Sequence, residues 1–393
     1  MRKKTFTLGI FGGGQLGKFL VQAANKLNIK TFVFTDSTDS PAIYYCDDFI
    51  ISSYENKKKL DFFIKNIDLA TFEFENIAFK TLDYVEKKIN VSPKPSIIRI
   101  LQDRLKEKTF LNSIGIKTTE FYYLKKINKN KLNNNIFPAL VKTTRLGYDG
   151  KGQIFFKNKK DFLKHSFKNK EYIVEKLINF KKEISIIISR SKKESVSYDA
   201  FENLHRHQIL NKSHIPANIN SKLNDDAKII AKKIADKLNY IGTMCVEFFV
   251  TKNNELLVNE IAPRVHNSGH LTMNAHNVSQ FENHIRAVCN LKLKKTKRIH
   301  KAIMYNILGY DIKKYRSKET VKNVFFYDYG KKEIKDSANN TPDRLNQLLG
   351  SINDNLAKLA GWNISTLLNW LSEWVIVGGL LVGTLGALGI KLT

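Results

Sequence analysis

Apolar positions along this chain follow two periods. Short runs rich in β-branched and aromatic residues read as strands: Thr5 to Phe11, Ile29 to Phe34, Phe137 to Lys142, Ile154 to Phe156, Glu171 to Ile178, Ile184 to Ile188, Thr243 to Val250 and Val258 to Ala262. Ile299 to Leu308 and Val321 to Tyr329 look similar. Between these runs the spacing turns helical. Lys222 to Leu238 places apolar residues at 223, 227, 230, 231, 234 and 238, the inner face of an amphipathic helix. One helix opens at Gly12–Gly17 and runs through Leu27. Another spans Ile97 to Ser113, closed by Gly115, and a capping box at Ser279-x-x-Glu282 starts a third through Cys289. Strands and helices interleaved in this way make an α/β chain.

The last strand pair carries the first chemistry. Thr243–Val250 and Val258–Ala262 flank Lys252-Asn253-Asn254, and Asn suits the left-handed backbone of a two-residue hairpin loop. With the loop at Asn253-Asn254, Glu247 falls directly opposite Glu260. Like charges so placed repel, and the pair calls for a cation between them. The donors are all oxygen, which points to Mg²⁺ shared with a nucleotide's phosphates. Arg264, His266 and Asn267 follow at once, and together these residues favour a phosphate-handling site.

Two glycine-rich stretches extend that reading. Gly12-Gly-Gly14-Gln15-Leu16-Gly17 lies between a strand and a helix, a weak dinucleotide signature with Asp36 as its ribose acid. Against a dinucleotide stands Thr71-Phe-Glu73-Phe-Glu75-Asn76 at the end of the next strand. Glu75 reads equally well as a helix-capping carboxylate. The second stretch, Gly147-Tyr148-Asp149-Gly150-Lys151-Gly152-Gln153, joins two strands beside Lys142 and Arg145 and is a strong phosphate-loop signal.

Charge changes the picture little. The chain has 65 Lys+Arg against 37 Asp+Glu, net +28, but the lysines are scattered without aromatic interleaving. That pattern argues against nucleic acid and for some attraction of anionic substrates. Cys46, Cys245 and Cys289 are far apart and form no metal or redox motif among themselves, and the histidines near His205 have no companion cysteine for zinc. A reduced, cytoplasmic setting without a secretory signal is the expectation. From Thr341 onward the composition breaks. This tail holds all 3 Trp, none of the 25 Phe or 15 Tyr, and 3 of the 65 basic residues. It reads as a tail of separate origin. Trp374 to Ile390 is uncharged and includes Gly379-x-x-x-Gly383, so either membrane contact or packing on the protein is open.

The run Asn259-Glu260-Ile-Ala-Pro-Arg264-Val-His266-Asn267-Ser268-Gly-His270, followed by Ser279-Gln-Phe-Glu282, closely resembles N5-carboxyaminoimidazole ribonucleotide synthetase. Thr71 to Asn76 and Gly147 to Gln153 resemble that family's motifs too, and the likeness runs from about residue 5 to about 337. The resemblance implies an ATP-grasp fold: a Rossmann-like domain over 1–95, an ATP-grasp domain over 96–295 and a truncated lobe over 296–337, leaving an apolar helical tail over 338–393. It implies ATP- and bicarbonate-dependent carboxylation of 5-aminoimidazole ribonucleotide through carboxyphosphate, with Mg²⁺ (or Mn²⁺) as the metal and a homodimer as the assembly.

By the same resemblance ATP is held by Arg104, Lys142, Gly147 to Gln153, Glu175, Lys176, Leu177, Ile178, Glu183, His205, Asn259 and Glu260. The metal falls to Glu247 and Glu260. The ribonucleotide falls to Gly14, Gln15, Leu16, Glu73, Tyr148, Asp149, Arg264, His266, Asn267, Ser268 and Lys332, and the catalytic groups are Arg264, Lys142 and Asp149. One departure stands out. The family's Arg-Lys-x-Gly-His element is replaced by Lys335-Asp-Ser-Ala-Asn-Asn340, which leaves two alternatives: a related ligase with another substrate, or an inactive nucleotide-binding scaffold.

Overall fold

The computed structural model describes residues 6–126, 129–145, 152–168, 170–206, 208–307 and 323–327, together with the backbone of 374–377. Its first layer is β1 (Thr7–Phe11), α1 (Gln15–Asn25), β2 (Lys30–Thr35), β3 (Asp48–Ile51), α2 (Lys57–Lys65), β4 (Leu69–Phe72) and α3 (Phe79–Glu86). The four strands are parallel in the order β3-β2-β1-β4. β1 is central, and Leu8, Ile10 and Phe11 are fully buried, as a parallel strand covered on both faces requires. The glycine loop after β1 therefore emerges at the carboxyl edge of the sheet, beside the end of β4.

The helix expected over Ile97–Ser113 is two helices, α4 (Pro95–Leu101) and α5 (Arg104–Ser113). Asp103 makes the break. Its carboxylate accepts from the amides of Leu105 (3.1 Å) and Lys106 (3.3 Å), so it caps a new helix instead of continuing the old one. Arg104 thereby sits at the first turn of α5.

A second sheet follows: β5 (Phe121–Tyr123), β6 (Ala139–Thr143), β7 (Gln153–Phe156), α6 (Lys159–Lys164) and β8 (Tyr172–Lys176), antiparallel in the order β5-β8-β6-β7. The third and largest comprises β9 (Phe180–Arg190), β10 (Ser195–Ser197), β11 (Phe201–Arg206), β12 (Ile209–Ile215), β13 (Gly242–Thr251), β14 (Leu256–Ala262), β15 (Lys301–Tyr305), β16 (Val324–Phe325) and β17 (Trp374–Val377). Helices α7 (Ser221–Lys237), α8 (Thr272–Ala275) and α9 (Gln280–Val288) accompany it. The apolar face of α7 (Leu223, Ala227, Ala231, Ile234) packs on Ile184, Ile186, Val246 and Phe248. The expected capping bond is present, Ser279 Oγ accepting from the Glu282 amide at 3.1 Å. The Glu282 carboxylate, by contrast, turns outward to Arg286 and Lys294. Trp374–Val377, expected in an apolar helical tail, is instead a strand parallel to β15, consistent with the β propensity of Val-Ile-Val. The rest of 374–390 lies outside the described residues. Among the described residues no helix is long and apolar enough to cross a membrane.

One buried histidine ties the first sheet to the third. His284, on α9, has Nε2 2.9 Å from Thr71 Oγ1 on β4, and its Nδ1 accepts the Thr243 amide of β13 at 3.1 Å. The accepting nitrogen must be unprotonated, and burial depresses the ring's pKa to about 3. The folded pKa lies below the unfolded value, so the stabilisation is complete above pH 6.5 and drains away as pH falls toward about 3. We expect this group to cost about 1.4 kcal/mol per pH unit across that window. Urea denaturation at about pH 7.5 and about pH 5 should show that much less acid sensitivity in His284→Gln than in the unsubstituted chain. Equal sensitivity would refute the assignment.

Candidate active site

The β13–β14 hairpin places Glu247 opposite Glu260, but by a different route from the one its sequence suggests. The turn is longer than two residues: Thr251 pairs with Glu255, and only Asn254 is left-handed, at φ 61°. Strand partners from Val250↔Leu256 to Phe248↔Val258 are accordingly one residue out from the expected register. A β-bulge at Asn259 then adds a residue to β14 and restores the pairing at Glu247↔Glu260. Two departures cancel at the one position that matters.

The two carboxylates are not equivalent. Glu247 is buried, and burial raises its pKa, but the His266 ring at 3.1 Å, together with His205 and Arg264, brings it below the usual value. Glu260 retains solvent exposure while lying among protein groups, as a residue facing an open cleft does. Its pKa is raised, by burial first and then by Glu247, against the pull of Arg104 and Lys142. The pair is short of positive charge.

Helix α5 grips this hairpin on both sides of the bulge. Glu107 accepts the Ile261 amide at 2.5 Å, and the Lys108 ammonium reaches the Asn259 carbonyl at 3.4 Å. Lys108 also donates to Thr118 Oγ1 (3.0 Å) and Thr119 Oγ1 (2.8 Å) and stands 3.6 Å from Glu175 Oε1. Burial pushes Glu107 up to about 8. The other Glu175 oxygen accepts from Lys142 Nζ at 2.8 Å, and the two lysines hold this buried carboxyl low despite burial. Glu175 therefore orients Lys142 from within the sheet. The same helix anchors the root of the phosphate loop. Arg104 donates to the Thr143 carbonyl (3.1 Å), and Arg145 Nε to Asp103 Oδ2 (2.9 Å).

The first glycine loop is built around an acidic side chain. Those glycines admit an anion, and the anion is the chain's own: Glu73 Oε1 accepts the Gly14 amide at 2.5 Å and Oε2 accepts the Gly17 amide. A Cβ on Gly12 would lie 2.4 Å from Glu73 Cγ, so the glycine is required by this approach. The Gly14 amide, expected to touch the ribonucleotide, is thus engaged. Gln15 Nε2 donates to Asn267 Oδ1 at 3.0 Å, joining the loop to the segment after β14.

Of the two readings open for Glu75, helix capping is not the one the structure takes: its carboxylate is the partner of Arg264. Oε2 accepts from Nε, and Oε1 accepts from Nη2 at 3.2 Å. His266 is held from three directions. Gln280 brackets its backbone (2.9 and 2.7 Å), and Ser268 Oγ lies 3.0 Å from Nδ1. A buried chain of hydroxyls and amide backs Ser268, running Ser268–Ser185–Asn203–Ser213 with steps of 2.9, 2.9 and 2.7 Å. With Cys245 and Glu247 beside it, the His266 pKa rises to about 10 in spite of burial. Burial likewise opposes but does not prevent a raised pKa at His205, whose Nδ1 bonds Glu183 Oε2.

Glu247, Glu260, Arg104, Lys142, Arg264, His266 and the Glu183–His205 pair thus lie within electrostatic reach of one another. Gly147, Tyr148, Asp149, Gly150, Lys151 and Lys332 lie outside the described residues. Gly152 is described at φ 76°, its carbonyl accepting from the Thr143 amide at 3.0 Å. The amides of Lys176 and Leu177 donate to the carbonyls of Glu120 and Pro138, both at 2.9 Å. Sequence reasoning missed Glu107, Lys108 and Cys245. An acid–base pair inside an otherwise apolar helix stripe was the available signal for the first two. No local signal marked Cys245.

Comparison with known proteins is consistent over most of the chain. The family described as ribonucleotide synthetase preATP-grasp domain matches residues 5–102, and the ATP-grasp domain family matches residues 109–281. The N5-carboxyaminoimidazole ribonucleotide synthase of Staphylococcus aureus (strain COL) is 40% identical over 346 residues, covering 84% of this chain and 90% of that protein. Its counterpart in Bacillus subtilis (strain 168) is 37% identical over 336 residues, covering 84% and 88%. The crystal structure of the Staphylococcus aureus N5-carboxyaminoimidazole synthetase complexed with ADP superimposes with a TM-score of 0.79 at 36% identity, covering 89% of this chain and 98% of that one. The Aspergillus clavatus enzyme, in complex with ADP and 5-aminoimidazole ribonucleotide, gives 0.71 at 28% identity, covering 78% and 83%.

Proposed function

The chain belongs to the N5-carboxyaminoimidazole ribonucleotide synthetase family, and from that premise we propose how its own residues divide the work. It is an ATP-grasp ligase that uses ATP to convert 5-aminoimidazole ribonucleotide into the N5-carboxy product in purine biosynthesis. The observation that carries the residue assignment is the opposed pair Glu247 and Glu260, with Arg104 and Lys142 acting on it from across the cleft.

That pair fits a hard divalent ion. The donors are oxygen, and the pKa of Glu260, raised by burial and by Glu247, shows a repulsion that a cation would relieve. Glu247 and Glu260 would hold Mg²⁺, or Mn²⁺ in its place; when bound, the ion supplies neutralisation of the triphosphate charge. Every other task falls to side chains and amides. Lys142, aimed by Glu175, and Arg104, at the head of α5, stabilise charge on the transferring phosphoryl group. Glu183 and His205 take the ribose hydroxyls. With the Lys176 and Leu177 amides engaged, the Ile178 amide is the donor for the adenine edge.

The γ-phosphoryl group passes to a bicarbonate oxygen, giving carboxyphosphate and ADP. The ribonucleotide amine then attacks the carboxyl carbon, or the CO₂ released from it; the bond to phosphate breaks and the amine loses a proton. Arg264, fixed by Glu75, and His266 line this second step with Asn267 and Ser268. Gln15 and Leu16 offer their amides to the substrate, and the family resemblance also assigns Tyr148, Asp149 and Lys332 to substrate binding. The glycine-rich stretch Gly147–Gln153 is assigned to the phosphates. A cytoplasmic homodimer with the domain division near 95 and 295 rounds off the reading; sedimentation checks the assembly.

ADP release by the full chain with ATP, Mg²⁺ and bicarbonate is expected to rise at least about tenfold on adding 5-aminoimidazole ribonucleotide. Slow release that ignores the ribonucleotide would mean that Lys335–Asn340 cannot replace the missing element and that the assignment of the substrate residues is wrong.

A further inference from the structure

Beside the oxygen-lined pair lies a second donor set of different chemistry. Cys245 and Glu247 are two apart on β13 and so share a face of the strand, and His266 returns against them after β14. The Cys245 thiol sulfur, a Glu247 carboxylate oxygen and a His266 ring nitrogen all lie within 4.8 Å of one another. Cys245 is fully buried, and the other two side chains keep only 12% and 13% exposure, so this is not a chance meeting of solvated surface groups. The histidine is also preset. Its Nδ1 faces Ser268 Oγ at 3.0 Å, Ser268 is backed by Ser185 and Asn203, and Gln280 pins the backbone. A hydrogen bond that fixes one ring nitrogen and leaves the other to point at a thiol and a carboxylate is the arrangement found around ligating histidines.

We propose that Cys245, Glu247 and His266 form a site for a thiophilic divalent cation of the zinc class, in which Glu247 is shared with the hard-cation pair. One sulfur, one nitrogen and one oxygen donor are three of the four ligands that Zn²⁺ takes in open tetrahedral sites, with water or a substrate oxygen as the fourth. Mg²⁺ has no use for the sulfur. Binding takes one proton from the thiol and one from the His266 ring, and both pass to solvent. Because Glu247 cannot serve both ions, Zn²⁺ is a competitive inhibitor of the Mg²⁺-supported reaction. The binding stands independently of the proposed division of catalytic roles; the inhibition rests on it.

Cobalt(II) serves as the spectroscopic probe, added to the full chain without nucleotide. Cys46→Ser/Cys289→Ser leaves Cys245 as the sole thiol of the 3. This double variant is expected to develop a thiolate-to-cobalt charge-transfer band that Zn²⁺ abolishes. Cys245→Ser, and Cys245→Thr as a second replacement, should lose the band and retain Mg²⁺-supported ADP release. Inhibition of that release should need at least about tenfold more Zn²⁺ in these variants. A folded double variant without the band overturns the site, whatever the Cys245 variants do. So does a band that survives in Cys245→Ser. Zn²⁺ binding without inhibition would leave the site standing and overturn the sharing of Glu247. Loss of ribonucleotide stimulation, in contrast, would touch only the catalytic reading.

Discussion

Glu260→Gln should yield a chain that is more stable on its own and at least about a hundredfold slower in forming ADP. Both effects have one cause. Glu260 faces Glu247 across the hairpin, and its pKa is raised by burial and by that neighbour, so the ion-free fold carries unrelieved repulsion. The amide keeps the shape and removes the charge. Stability measured without metal or nucleotide therefore rises, in a direction opposite to most substitutions at a packed hairpin. The same change takes away half of the charge that a divalent ion would meet, and the transferring phosphoryl group loses its compensation. Adding Mg²⁺ and ATP should stabilise the unsubstituted chain and leave the variant nearly unmoved. Thermal melts with and without Mg-ATP, set beside initial rates of ADP release, read both halves. A variant that is less stable without ions, or that turns over within about threefold of the original, would remove the metal pair from the mechanism.

The way that pair was legible in the sequence is instructive. A hairpin loop at Asn253-Asn254 is the wrong loop, yet it gives the right partners, because the bulge at Asn259 compensates for the longer turn. Alternation and turn residues carry the pairing of neighbouring strands. They do not carry bulges, whose signature lies in contacts such as the Lys108 ammonium on the Asn259 carbonyl. The glycine loop after β1 shows a related limit. Glycine spacing announces that something negative approaches the backbone, and it is silent on whose charge that is; here Glu73 supplies it. The helix from Ile97 to Ser113 was misread for a local reason, since Asp103 looks like any acidic residue until its carboxylate is seen capping Leu105 and Lys106. What no local pattern could reveal is contact across the chain. Cys245 meets His266, and Glu175 is gripped by Lys108, only through the packing of segments well separated along the chain.

Glu75 and Arg264, 189 residues apart, make the most consequential of those distant contacts, and Glu75→Gln should be among the most damaging substitutions in the chain. The carboxylate holds the guanidinium through two bonds, at the seam between the first sheet and the segment after β14. Burial alone would weaken the charge on each; each charge, set against the other, restores it. Removing one partner strands the other. A fully buried pair broken in this way costs about 3–5 kcal/mol. The side chains here keep 26% and 18% exposure, so about 2–3 kcal/mol is the discounted expectation. Arg264 would then swing from the position where the amine meets the carboxyl carbon. Ribonucleotide-stimulated ADP release should fall at least about a hundredfold, with the KM for ATP almost unchanged, because Glu75 touches nothing on the nucleotide side. The decisive companion is Glu75→Leu/Arg264→Met. An apolar pair of similar volume removes both charges together, so stability should return to within about 1 kcal/mol of the original. Activity should not return. Recovery of both would make the pair structural only, and recovery of neither would show that the seam depends on more than these two side chains. A stable, inactive double variant is the outcome that assigns the pair to catalysis, with Glu75 positioning and Arg264 acting on the substrate.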